Sequence, residues 1–235
     1  SSEFPGTIHT GICKIFDFTA ASTGLSEQRA REAGLTVESV LRAGPDVPHF
    51  MGARLLITKI VAEKKTGKLL GVQCAGPGDV SRQVASAAMA ITGGLSVRDL
   101  CTADLPYAPP FSPAIDNIIA AAHVLENKMA GLFTGISAAA VKEKIENGGK
   151  LFLLDVRGKD EYETMRLGIG ETLIPLGALR QNLDKLPADK NAEVVCYCKI
   201  SLRGYEAARF LSGQGWKNVK ILEGGVMAWP FKREK

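Results

Sequence analysis

Residues 193–213 read EVVCYCKISLRGYEAARFLSG. Residues 193–198 are a short, mostly apolar run rich in β-branched and aromatic side chains, as expected of a strand buried on both faces. Five residues follow, Lys199 to Arg203, and then a helical pattern over 204–213. A buried strand, a short loop and a helix make one parallel α/β unit. Its neighbours repeat the theme. LFLLDV at 151–156 is a second such run, 219–222 a last short strand, and 137–147 a helix with Ser137 as N-cap. Strands alternating with helices predict a parallel sheet.

The preceding half has a different grammar. Residues 6–19 read as one strand and 36–42 as another, with a helix over 27–33 capped by Ser26 and closed by Gly34 between them. The apolar runs 53–62 and 68–74, joined at Lys64-Lys65-Thr66-Gly67, predict a hairpin. Residues 79–92 form a small-residue helix, and 113–127 a second, with Pro113 in its first turn. The expected fold is therefore an α+β domain over 1–131 followed by an α/β domain over 132–235, with the boundary near 129–134.

Composition bounds the function. The 235 residues are 46% hydrophobic and 23% charged, enough for packed cores. No run approaches the ~20 apolar residues of a membrane span, and Ser1-Ser2-Glu3-Phe4 lacks a leader's basic and apolar regions. A soluble cytoplasmic protein is expected. The net charge of +4 falls entirely on 134–235. That is too weak for nucleic-acid binding but in keeping with an anionic ligand. Five cysteines, irregularly spaced and without a CxxC, do not form a disulfide framework. None of the three histidines lies near a cysteine pair in sequence, so no metal is expected.

Cys198 carries the chemistry. At the end of a strand and before a helix, it faces backbone N–H groups and the positive end of a helix dipole, with Lys199 and Arg203 adding charge. Such a thiol is expected to have a lowered pKa and to react as the thiolate. It also reads as a core cysteine that merely ends a strand. Cysteine phosphatases use Cys-x5-Arg; here the spacing from Cys198 to Arg203 is Cys-x4-Arg, a smaller ring better suited to a persulfide.

Four pieces, LFLLDVRGKDEYE (151–163), LIPLGALRQNLDKLP (173–187), CKISLRG (198–204) and ILEGGVMAW (221–229), together resemble a rhodanese (sulfurtransferase) domain over 134–230. The resemblance implies that Cys198 carries a persulfide. It further implies that Lys199, Ile200, Ser201 and Leu202 cradle the persulfide through backbone N–H groups and that Arg203 closes the loop. Asp155 and Arg157 match the family's Asp-x-Arg, a support for the site, though they also read as a surface ion pair with Glu161 or Glu163. Ser201 stands where many family loops carry glycine, and a left-handed conformation there would be strained. Cys196 shares a strand face with Cys198. It reads as a resolving thiol or as core packing. Trp229 and Gly224-Gly225 are expected to close the fold.

GTIHTGICKIFDFTAASTG (6–24) and DLPYAPPFSP (104–113) are similar to the dimerisation domain of pyridine nucleotide–disulfide oxidoreductases, and most of all to CoA-disulfide reductases fused to a rhodanese domain. This resemblance covers about 5–130. It implies a homodimer through the first domain, with Tyr107 reaching the partner's active site; a tyrosine beside prolines also reads as loop packing. For a longer parent it implies FAD, NAD(P)H and CoA. The rhodanese domain itself needs no cofactor. No GxGxxG opens a helix here, Gly168-Ile169-Gly170 being the nearest stretch, so a C-terminal piece of that parent is expected. The implied partners are small sulfur donors and thiols: CoA persulfide, polysulfide, thiosulfate. The rival reading is a non-catalytic dimerisation and regulatory module.

Overall fold

The computed structural model describes residues 3, 4 and 6–235; Ser1 and Ser2, which the leader reading included, lie outside the described residues. The chain divides into two compact units, Ser1–Ala130 and Gly131–Lys235.

The first unit is built on strands β1 (Gly11–Ile15), β2 (Phe18–Gly24), β3 (Val37–Pro45), β4 (Leu55–Glu63) and β5 (Leu69–Gly76). They form an antiparallel sheet in the order β1-β2-β5-β4-β3. The single strand expected over 6–19 is in fact a hairpin. The chain turns at Phe16-Asp17, with Phe16 at φ 52°, and Ile15 pairs with Phe18. No Gly or Asn marks this turn, so the alternation of apolar residues hid it. Every residue of β1 is exposed. The hairpin expected at Lys64–Gly67 joins β4 to β5.

Helices α1 (Glu27–Glu32), α2 (Ser81–Thr92), α3 (Val97–Cys101) and α4 (Asn117–Met129) complete the unit. Ser26 caps α1, its hydroxyl accepting from Arg29 N–H at 3.2 Å. α4 starts at Asn117 rather than 113, because the Asp116 carboxylate accepts from Ile118 N–H and fixes the helix start there. α3 was not expected. It is one turn long, but Ser96 and Asp99 make a reciprocal capping box at its start. Val40, Ile60, Val72, Ala87, Ile118 and Leu125 meet in the core between sheet and helices.

The second unit holds β6 (Thr134–Ile136), α5 (Ala138–Glu146), β7 (Phe152–Asp155), α6 (Lys159–Thr164), β8 (Thr172–Leu173), β9 (Val194–Tyr197), α7 (Leu202–Gly213) and β10 (Val219–Leu222). All its strands are parallel, in the order β6-β10-β9-β7-β8. β9 lies at the centre and is buried along its whole length. The side-chain alternation of a strand sorts its residues. Cys196 joins the core that includes Leu154, Leu211 and Trp216; Val195 and Tyr197 join the opposite core with Leu222 and Trp229. Ser137 caps α5 as expected. β6, β8 and α6 are too short to leave a periodicity. Among the described residues no helix is long and apolar enough to cross a membrane.

Candidate functional site

Cys198 lies immediately beyond the carboxyl end of β9 and is 1% exposed. Its loop runs over it to α7. Lys199 and Leu202 are exposed; Ile200, Ser201 and Arg203 are half-buried. Two backbone bonds clamp the loop to the turn after β10. Val226 N–H donates to Cys198 C=O and Met227 N–H to Lys199 C=O, both at 3.0 Å. Gly225 makes this approach possible. It sits at φ 60°, ψ −156°, and a Cβ there would lie 2.3 Å from Cys198 O and 2.7 Å from Lys199 O. The expectation that Gly224-Gly225 closes the fold thus has a physical basis in the loop itself. Gly204 serves similarly on the helix side, where a Cβ would stand 3.0 Å from Tyr197 Cα.

Ser201 is left-handed, at φ 75°, ψ −3°. An L-residue there costs about 1–2 kcal/mol. Its hydroxyl donates to Leu222 C=O, which offsets part of that cost. Tyr205 N–H donates to Ser201 C=O at 2.8 Å and starts α7. The first N–H groups of this helix have no acceptor within it and lie at the loop.

Arg203 does more than end the loop. Its two terminal nitrogens donate to both oxygens of Glu161 on α6, at 2.7 and 2.8 Å. This bond is the main reason Glu161 is drawn down to about 2, with burial opposing it and Gly158 N–H, a further donor to the same carboxylate, assisting. Arg203 in turn is raised, first by its bond to Glu161, with Cys198 adding to the shift. The guanidinium is therefore held in place by a fixed carboxylate.

Asp155 and Arg157 are not a surface pair. Both are buried, and the Asp155 carboxylate accepts from Arg157 backbone N–H, Nε and Nη2 at 2.6–3.0 Å. Burial alone would lower Arg157, but the paired carboxylate outweighs it and the guanidinium is raised. Arg157 Nη1 also reaches Glu161 C=O at 3.3 Å, tying the end of β7 to the helix that holds Arg203. The surface pairing falls instead to Lys159 and Glu163, 3.6 Å apart.

Cys196 shares a core with Cys198, as strand alternation requires, but burial pushes its thiol well up. Tyr107 belongs to the first unit, on an irregular segment between α3 and α4, and is 53% exposed. Gly168-Ile169-Gly170 is a tight turn whose Gly168 and Ile169 N–H groups donate to the Glu171 carboxylate at 3.0 and 2.8 Å. Those donors are already taken, and the short strand β8, not a helix, follows directly. This stretch does not fit a dinucleotide. Sequence reasoning missed the role of Glu161, weighed only as a partner of Asp155 and Arg157. The signal was available: Gly158 to Glu161 is the spacing of a helix cap.

A parallel α/β sheet whose central strand delivers a thiol under an arginine-closed loop, behind an antiparallel α+β unit, defines a two-module thiol protein. Residues 137–231 match the rhodanese-like domain family, to which the chain belongs, and residues 10–119 match the pyridine nucleotide-disulphide oxidoreductase dimerisation domain. The NAD(P)H sulfur oxidoreductase (CoA-dependent) of Pyrococcus furiosus is 38% identical over 125 residues, 53% of this chain and 28% of that protein. The Bacillus subtilis protein YtwF, whose name places it provisionally among the sulfurtransferases, is 37% identical over 100 residues, 40% of this chain and 87% of YtwF. The solved NAD-dependent persulfide reductase from A. fulgidus superposes with a TM-score of 0.87 at 40% identity, over 98% of this chain and 40% of that one. The chain thus spans well under half the length of the reductases it matches.

Proposed function

We propose that the second unit carries sulfane sulfur as a persulfide on Cys198, within an FAD- and NAD(P)H-dependent reductase of CoA disulfide, CoA persulfide or polysulfide. One observation carries the reading: the buried Cys198 thiol ends the central strand beneath a loop that is clamped by two backbone bonds and closed by Arg203, itself held by both Glu161 oxygens. The names of the Pyrococcus and A. fulgidus relatives support the sulfur chemistry.

The Cys198 thiolate attacks the outer sulfur of a donor R–S–SH. The donor S–S bond breaks, R–S⁻ leaves with the electron pair and takes up the proton, and Cys198–S–S⁻ remains. Arg203 and the N–H groups of Lys199, Ile200, Ser201 and Leu202 stabilise that anion. An acceptor thiolate then attacks the outer sulfur, a new S–S bond forms, and the Cys198 thiolate returns. No net oxidation occurs, and the two half-reactions predict ping-pong kinetics. Asp155 and Arg157 hold the elements that carry Glu161 and the loop.

In this reading the first unit forms the homodimer in the cytoplasm, and Tyr107 reaches the partner's thiol site. Gly168-Ile169-Gly170, with its N–H groups taken by Glu171, does not fit a dinucleotide, and no step here runs through FAD or NAD(P)H. The test is intact-mass spectrometry after incubation with thiosulfate, polysulfide or CoA persulfide. One added sulfur in the wild type, removed by cyanide and absent from Cys198→Ser, is the expected result. No adduct with any donor would overturn it and favour a regulatory module.

A further inference from the structure

The fold brings a cysteine of one helix up to two metal-ligating side chains of another. Cys101 ends α3, and His123 and Glu126 stand one turn apart on α4. The Cys101 Sγ, a ring nitrogen of His123 and a carboxylate oxygen of Glu126 all lie within 4.8 Å of one another. We propose that this trio is a zinc site, independent of Cys198 and of the sulfur-transfer reading.

The donor chemistry selects the ion. One thiolate, one imidazole and one carboxylate suit a borderline-soft cation without a geometric preference; magnesium and calcium require oxygen. Zinc bonds of about 2.0–2.3 Å in a tetrahedron place ligand atoms about 3.3–3.8 Å apart. The trio must contract by about 1 Å. The exposed His123 and half-buried Glu126 side chains have the rotational freedom to do so. Cys101 is the fixed member, packed against the core of the first unit. Metal binding breaks the Cys101 S–H bond, forms Zn–S⁻ and releases one proton to solvent. Three protein ligands leave a fourth position for water or a small thiol. Spacing alone could not reveal the trio, because the cysteine and the histidine belong to different helices.

Cobalt(II) is the probe, titrated into the full chain with Cys198→Ser as background so that the other candidate thiol cannot respond. The expected result is one cobalt per chain with a thiolate-to-cobalt charge-transfer band, displaced by zinc. Cys101→Ser abolishes the band. His123→Ala, at an exposed position that folding does not depend on, weakens binding by about tenfold or more. A wild-type chain that shows the band while the Cys198→Ser background shows none would overturn the proposal, since the metal would then sit on the sulfur loop. So would a band that survives Cys101→Ser, or no band in either chain.

Discussion

Replacing Gly225 by alanine adds one carbon, and its effect can be worked out from the geometry. The new Cβ would stand 2.3 Å from Cys198 O and 2.7 Å from Lys199 O, both backbone atoms that no rotamer change can move. The conformation at φ 60°, ψ −156° is itself nearly glycine-only and costs another residue about 1–3 kcal/mol. Relieving the overlap means pulling the turn from the loop, which breaks the Val226 and Met227 N–H bonds, each worth about 1 kcal/mol net. Together these give a loss of about 3–5 kcal/mol, against a total stability of about 5–15 kcal/mol for a typical domain. Both tryptophans of the chain, Trp216 and Trp229, lie in the two cores of the second unit, so their fluorescence during urea unfolding reports this unit alone. Gly177→Ala is the control: that glycine has open space around it and no positive φ, and should change stability by less than about 1 kcal/mol. Sulfur loading on Cys198 should fall in Gly225→Ala and not in Gly177→Ala. A Gly225→Ala chain within about 0.5 kcal/mol of wild type would refute the clamp argument.

The other predictions concern the loop's supports. Ser201→Ala and Ser201→Gly both lose the hydroxyl bond to Leu222, but only glycine relieves the left-handed strain; glycine should be the more stable by about 1 kcal/mol, and equal urea midpoints would refute that. Glu161→Gln should lower stability near neutral pH by about 1 kcal/mol, a figure discounted because the Glu161 side chain is 37% exposed. Its folded pKa of about 2 lies below the ordinary 4.5, so this stabilisation is complete above pH 4.5 and fades as pH falls towards 2. Unfolding curves across that window should lose part of their acid slope in the variant, and an unchanged slope would count against the Arg203 bond. Asp155→Asn leaves Arg157 buried without its countercharge and should cost about 3–5 kcal/mol by the same fluorescence assay. Cys196→Ala should leave sulfur loading unchanged; a rise in loading there would assign Cys196 the resolving role.

The second unit was the more legible, for a physical reason. Buried parallel strands leave uninterrupted apolar runs, and 151–156 and 193–198 could hardly be read otherwise. In the first unit an edge hairpin with apolar residues on an exposed strand imitated one long strand, and only the left-handed Phe16 betrays the turn. The loop from Cys198 to Arg203 could be read from spacing, and the strain at Ser201 from its missing glycine. What holds the loop could not. Glu161 and Gly225 act on it from distant parts of the chain, and only packing brings a carboxylate and a carbonyl-tolerant turn to the same loop. Burial likewise turned Asp155 and Arg157 from a surface pair into an internal brace.

The turn at Gly224–Met227 also sets an order of events during synthesis. Cys198 is made well before the residues whose N–H groups grip its carbonyl and that of Lys199. While the nascent chain lacks Val226 and Met227, the loop has no such anchor. The loop around Cys198 is thus fixed late, after the rest of its sheet has been translated. A chain released early, short of that turn, would carry the cysteine on a loop without these two bonds.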